Sequence, residues 1–395
     1  MTGTSAALHA TVTASVLVGL PVTIRAVRAP AVEPSPRRAV GPGWWLAAVA
    51  GLLLVNQVLF TVYALRVRSG DLSYLGGYVP DGWFELADGP VMTWLADHTP
   101  APGLLAVCAL RLPSLLELPF GMLAYLTIVN WLDPRLYRRL TGTTVLALTS
   151  ASYSITFGLI EWAMHTVYTT QDLVLRAVSA VLTVFALGRL RRRPSAAPGT
   201  GAPRTAAELL AFAASTAALG FLALALYDSV LLYSMGKIGQ HVPGAVVAGL
   251  VLAASRLAAS RLRERGGPLP AGPGLDTLTT GLSWWLALFL IPALAIRYEL
   301  GFGSRLFAAV AGLLVIGAAT TAALFQVYGR LPLAGRAAAV RRWLLGLAVA
   351  ALVAVVAAAG GLAVPAVHTE LRLLWSAALF VLAATAVTTT WDRQR

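Results

Sequence analysis

Residues 153–172, YSITFGLIEWAMHTVYTTQD, place ionisable side chains inside a segment apolar enough to cross a membrane. Tyr153, Glu161 and His165 are separated by multiples of four residues, and Tyr168 follows one turn later, so a helix places them along one face. A carboxylate and an imidazole one turn apart are costly to bury in hydrocarbon and need a partner, water or a ligand. The stretch predicts a transmembrane helix that carries part of a functional site.

The whole chain has the composition of a polytopic membrane protein. Of its 395 residues, 58% are hydrophobic and only 12% are charged, and its mean hydropathy is +0.74. A soluble globular protein carries about 25% charged residues. Glycine and alanine are abundant within the apolar runs, which favours close packing of helices in lipid. We expect an all-α transmembrane helical bundle.

Apolar windows of about 20 residues, the length that crosses a bilayer, predict ten or eleven spans. The count depends on the first segment, which contains His9 and Pro21 and fits either a span or an interfacial helix. The predicted segments are 6–24, 44–65, 103–132, 143–168, 172–190, 206–235, 243–260, 278–296, 304–328, 343–364 and 372–390.

The basic residues predict how the bundle is oriented. The chain has a net charge of +13, but its arginines lie beside apolar runs, which indicates membrane orientation and excludes nucleic acid as a partner. Most of the 30 basic residues fall in alternate loops, so we expect those loops and the carboxyl terminus to be cytoplasmic. Lys237 is the only lysine, a bias typical of GC-rich coding. We therefore expect a multi-pass protein of a bacterial plasma membrane, surrounded by membrane lipids.

Two connections rich in proline, glycine and alanine divide the bundle without adding a soluble domain. They are predicted to be flexible cytoplasmic linkers. The resulting units are an amino-terminal part over 1–190, a linker over 191–205, a central helix pair over 206–262, a linker over 263–277 and a carboxyl-terminal four-helix part over 278–395.

The one sizeable outer loop spans residues 67–102 and combines several carboxylates with aromatic side chains such as Trp83. Turn signals bracket a short helix predicted over 91–98, with Met92, Trp94 and Leu95 expected to face lipid. The loop fits a lid that binds substrate. It equally fits a cap at the headgroup level, where aromatic side chains are common.

Three carboxylates on three predicted spans fall at one depth in the outer third of the bundle. At about 1.5 Å per helical residue, Glu161 and Asp228 each lie roughly 10 Å below the outer end of their spans. Pro113 suggests that its span enters the membrane there, with Arg111 at the interface and Glu117 one turn inside. Tyrosines and a histidine occupy the same level. The sequence thus predicts an outward-facing polar pocket lined by Arg111, Glu117, Tyr153, Glu161, His165, Tyr168, Tyr227 and Asp228.

Such a pocket suits a transporter-like protein that binds or translocates a small polar or amphiphilic solute, with Glu161 and Asp228 compensating charge or exchanging protons. A membrane enzyme acting on a lipid or isoprenoid substrate is the alternative, with Glu161 as general acid and His165 or Asp228 as its partner. A third chemistry is metal binding, in which Glu161 and His165 share one ion and Asp228 or Glu117 completes a set that suits zinc or manganese. A single E-x-x-x-H pair is a weak motif, so we assign no metal site. No residue pattern identifies a cofactor, an oligomeric state or a family.

A structural subunit is the third possibility, because the same groups can pair with one another. Arg111 is then expected to pair with Glu117 or Glu161, and Arg176 with Asp172 or Asp228. Asn56 and Gln57 are predicted to form hydrogen bonds between helices.

Overall fold

The computed structural model describes residues 25–26, 28–29, 40–71, 85–99, 103–132, 134–164, 169–190, 206–231, 235–262 and 333–362, together with 379 and 383. Within these ranges the regular structure is helical and contains no strand, which confirms the all-α class. The helices are α1 (Pro42–Arg68), α2 (Pro90–His98), α3 (Gly103–Leu132), α4 (Pro134–Leu140), α5 (Thr143–Met164), α6 (Thr169–Gly188), α7 (Ala206–Leu231), α8 (Ile238–Leu262) and α9 (Leu333–Leu362), with a 3-10 turn over Met235–Lys237 between α7 and α8.

Four of the described helices are long and apolar enough to cross a membrane. The spanning segments are Pro42–Arg68 in α1, Arg111–Trp131 in α3, Thr169–Gly188 in α6 and Gly335–Ala357 in α9. Their presence supports a membrane protein, because only a helix or a closed barrel satisfies its backbone polar groups within hydrocarbon. The spans predicted over 6–24, 278–296 and 304–328 lie outside the described residues, as does the span over 372–390 apart from residues 379 and 383.

Side-chain contacts fix the directions of neighbouring helices. Gly43 at the start of α1 faces Thr127 near the end of α3, so these two helices are antiparallel. The hydroxyl of Ser114 donates to Asp172, and Arg176 donates to Glu117, so α3 and α6 run parallel. In the same way, Ser215 bonds Ser255 while Phe221 meets Gly244, which makes α7 and α8 an antiparallel pair.

Helix α3 continues through two prolines because a neighbouring helix supplies a missing hydrogen bond. Pro119 has no backbone N–H, so the carbonyl of Leu115 loses its usual intrahelical donor. The hydroxyl of Ser179 on α6 donates to that carbonyl. A freed carbonyl within a spanning segment is tolerated only where such a partner exists. Pro119 and Ser179 therefore help to fix how α6 lies against α3.

Segment 85–99, which we call the outer segment after its predicted position, rests on the carboxyl-terminal end of α1. Arg66 donates from Nη1 to the carbonyl of Ala96 over 2.8 Å and also reaches the carbonyl of Asp97, at the last turn of α2. The helix predicted over 91–98 is confirmed, but the expectation for Met92 is wrong: it is buried with Val62 and Ala96, while Trp94 is 57% exposed. Burial of Met92 against α1 removes more apolar surface than contact with the headgroup region would.

Candidate functional site

A buried ion pair joins α3 to α6. Nη1 of Arg176 lies 2.7 Å from Oε2 of Glu117, and the two side chains are 9% and 10% exposed. The hydroxyl of Tyr227 on α7 donates to the other carboxylate oxygen, Oε1, over 3.3 Å. The ring of Tyr227 also packs against Phe120, with 6.5 Å between the ring centroids. Three helices thus meet around one carboxylate.

Arg176 and Glu117 neutralise each other's charge in an apolar interior. Neither charge is well tolerated alone there, because removing one partner of a buried pair typically costs about 3–5 kcal/mol. The hydrogen bond from Tyr227 further satisfies the carboxylate, although its length makes it the weaker contact. The cluster is therefore a preorganised polar junction between α3, α6 and α7.

A second carboxylate lies one turn further out on α6. Asp172 is half-buried and accepts a hydrogen bond from Ser114 of α3 over 3.0 Å. Arg176, Arg111 and Glu117 are close enough to act on Asp172 electrostatically. Acidic and basic groups therefore alternate along the contact between α3 and α6, and this arrangement holds the two helices in register.

Two amide side chains of α1 lie at the same depth. The antiparallel register between Gly43 and Thr127 places Asn56 and Gln57 level with Ser114. Gln57 is completely buried, and among the described residues neither Nε2 nor Oε1 has a hydrogen-bond partner. Leaving buried amide groups unbonded costs about 1–3 kcal/mol. We refer to Asn56, Gln57, Ser114, Glu117, Asp172, Arg176 and Tyr227 as the polar layer.

The structure brings some of the predicted pocket residues together. Glu117 and Tyr227 are in direct contact, and Arg111 is half-buried near Asp172. Tyr153 is buried on α5 within the hydrophobic core. The same cluster contains Tyr227 of the polar layer, and Ser154 beside Tyr153 donates to the carbonyl of Arg176, so the place of Tyr153 in the pocket stays a prediction.

Other predicted pocket residues fall outside what the structure describes. Glu161 belongs to α5 and Asp228 to α7, but the described part of the chain does not include their side chains. His165, Tyr168 and Trp83 lie outside the described residues altogether. The meeting of Glu117, Glu161 and Asp228 at one site therefore stays a prediction.

The backbone is consistent with that prediction. Asp228 follows Tyr227 directly, so its backbone lies at the level of the ion pair. Gly158 of α5 contacts Leu173 of α6. The antiparallel register of these helices, shown also by the bond from Ser154 to the carbonyl of Arg176, places the backbone of Glu161 about one turn outside Asp172.

Two features of the site differ from what the sequence suggested. Arg176 forms an ion pair with Glu117 on a neighbouring helix, a partner that the sequence did not suggest. It also acts electrostatically on Asp172, and the side chain of Asp228 lies outside the described residues. Gln57 was expected to bond between helices, whereas its side chain makes no such bond within the described residues. The spacing of Gln57 from Leu46, Ala50 and Leu53 along one stripe of α1 was the available signal for its burial.

The described residues contain no group of three His, Cys, Asp or Glu side chains close enough to hold a metal ion. Comparison with protein-family models, with curated proteins and with solved structures finds no match to this chain. Its function must therefore be inferred from its own site, since a helical bundle by itself carries no functional information.

Proposed function

We propose that the chain is a multi-pass protein of a bacterial plasma membrane that binds or translocates a small polar or amphiphilic solute. It has ten or eleven spans, a cytoplasmic carboxyl terminus and a polar pocket that opens to the outside. The four apolar helices and the clustering of arginines beside apolar runs support this arrangement.

The observation that carries the proposal is the polar layer itself. Ionisable and amide side chains from α1, α3, α6 and α7 lie within about one turn of each other in depth in the described part of the bundle. Polar groups inside a membrane are expensive and mark substrate or ion pathways. Solute sites of transporters lie between helices and within the membrane, where polar groups from several helices meet.

In this proposal, the residues of the polar layer and those of the predicted pocket have different roles. Glu117 and Arg176 neutralise each other and hold the helices, so Glu161 and Asp228 carry the exchangeable charge that follows the solute or a proton. Arg111 and Tyr168 line the outer part of the pocket, Tyr227 lies at its base, and Trp83 belongs to the loop over its mouth.

A structural membrane subunit is the second candidate, and the ion pair between Arg176 and Glu117 favours it. A pair with a 2.7 Å contact and a tyrosine hydroxyl on its second oxygen needs no ligand to be satisfied. The enzyme alternative depends on the side chains of Glu161, His165 and Asp228, which lie outside the described part of the chain.

Full-length protein in vesicles that contain a fluorescent pH dye separates these candidates. Pools of sugars, amines and amino acids are added under an imposed pH gradient. A solute-dependent change in internal pH that Glu161→Gln abolishes, with folded protein unchanged, supports transport. If no pool changes the internal pH and Glu161→Gln lowers the thermal midpoint in detergent, the structural role is correct and transport is wrong.

A further inference from the structure

Gln57 is the residue of the polar layer whose side-chain donor and acceptor are both unused within the described residues. It is fully buried on α1, in the stripe that continues Leu46, Ala50 and Leu53 against the rest of the core. Within the described residues, its amide nitrogen and oxygen have no hydrogen-bond partner. Asn56, the next residue, also has an amide nitrogen without one in that part of the chain. An amide in this state is unusual, because native structures bond nearly all buried polar groups.

The contacts of α1 one turn beyond Gln57 involve the turn between α7 and α8. The hydroxyl of Thr61, one turn further out, is bonded to the backbone carbonyl of Gln57 and approaches the sulfur of Met235 at 4.0 Å. Met235 belongs to the turn between α7 and α8, whose Gly236 N–H donates to the carbonyl of Glu85. The turn therefore lies over α1 at Thr61, one helical turn from Gln57, and the outer segment is bonded to the turn.

We propose that Gln57 binds an uncharged polar group of the solute through its side-chain amide. This inference rests on the proposed solute-binding function and names the chemistry that the site takes. An amide offers a donor and an acceptor side by side, so it matches a hydroxyl or carboxamide group. The charges at this depth favour the same chemistry, because Glu117 and Arg176 compensate each other. The solute enters when the turn at Met235 and the outer segment move apart.

The test uses the full-length protein in a Cys108→Ser background, which removes the only native thiol. Gln57→Cys is compared with Leu53→Cys, a fully buried position one turn further in on the same stripe. A small uncharged thiol reagent, hydroxyethyl methanethiosulfonate, is applied in detergent. We expect Gln57→Cys to react roughly tenfold faster, since it is reached by local opening while Leu53 stays in the core.

Protection by a ligand is measured on Thr61→Cys in the same background, which keeps the amide of Gln57 and lies one turn along the same helix face. It identifies the chemistry and its source. Glycerol, glucose and acetamide are tested as free solutes, and phosphatidylglycerol is tested against phosphatidylcholine as a lipid that carries hydroxyl groups. Slower labelling with any free solute, or with phosphatidylglycerol alone, supports the proposal and distinguishes a dissolved ligand from a headgroup. Equal labelling of Gln57→Cys and Leu53→Cys, or labelling of Thr61→Cys that no probe slows, overturns it.

Gln57→Leu gives a second measurement that does not depend on labelling. If the amide is unbonded without ligand, an apolar side chain of similar size raises the thermal midpoint and removes the stabilisation by the protecting probe. If the midpoint falls, Gln57 has a structural hydrogen-bond partner and the proposal is wrong. Neither measurement involves pH-coupled transport, so a failure here is distinguishable from a failure of the proposed function.

Discussion

The guanidinium of Arg176 lies 2.7 Å from the carboxylate of Glu117 and joins two helices that run parallel and are not consecutive in the chain. Between them in sequence come α4 and α5. The contact therefore sets long-range packing, and both charges depend on it because each is nearly buried.

Arg176→Met is expected to destabilise the protein by about 3–5 kcal/mol, because it leaves the carboxylate of Glu117 buried without its counter-charge. Urea or thermal unfolding in detergent measures the loss. The double variant Glu117→Leu with Arg176→Met removes both charges and should lose less than Arg176→Met alone. An unchanged midpoint in Arg176→Met would show that the ion pair does not stabilise the fold.

Ser179→Ala should lower the free energy of unfolding in detergent by about 1–3 kcal/mol. The carbonyl of Leu115 then lacks the donor that replaces the missing N–H of Pro119. The matched control is the same substitution in a Pro119→Ala background. There the restored N–H can bond Leu115, so the cost of Ser179→Ala should fall clearly. Equal costs in the two backgrounds would contradict the link between the proline and the serine.

The proposed orientation makes a separate prediction. A fluorescent-protein fusion after Arg395 should fluoresce, and an alkaline phosphatase fusion at that position should be inactive, because the flanking arginines keep this end in the cytoplasm. The phosphatase fused after Asp71, in the outer loop, should be active. An inactive phosphatase after Asp71 together with an active one after Arg395 would show that the orientation is inverted. Phosphatase activity at both positions would show that the number of spans between them differs from the prediction.

The helical class was predictable because lipid leaves the backbone few alternatives. Hydropathy alone indicated the helices that the structure has at 42–68, 103–132 and 169–188. An apolar segment in lipid has no water to bond, so its backbone N–H and C=O groups must bond each other, as they do in a helix. The short helix α2 was predictable from the turn residues on either side of it.

The site was less predictable, because it depends on which helices become neighbours. The pair formed by Asp172 and Arg176 is visible as a spacing of four residues, but nothing local indicates that Glu117 lies opposite Arg176. Likewise the sequence shows that α2 has an apolar side, but not that Met92 turns it towards α1. Contacts between distant elements depend on which helices pack against each other, and the periodicity of the sequence does not give that information.

Gly236 is expected to be the position where the outer segment is most sensitive to a single methyl group. A Cβ at this glycine would lie 2.7 Å from Cγ of Glu85 and 2.9 Å from the carbonyl oxygen of Leu86, and the second of these atoms is backbone. The backbone N–H of Gly236 also donates to the carbonyl of Glu85 over 2.8 Å. Gly236→Ala should therefore push the segment away from the turn, at a cost of about 1–3 kcal/mol.

Hydrogen exchange over residues 85–98 and the thermal midpoint in detergent measure this effect. Faster exchange in the outer segment is expected for Gly236→Ala, because the hydrogen bond to Glu85 is lost when the segment moves. Gly239→Ala is the matched control, since a Cβ there meets no atom within 4 Å and alanine favours a helix over glycine by about 1 kcal/mol. Identical exchange in the two variants would mean that the turn does not hold the segment.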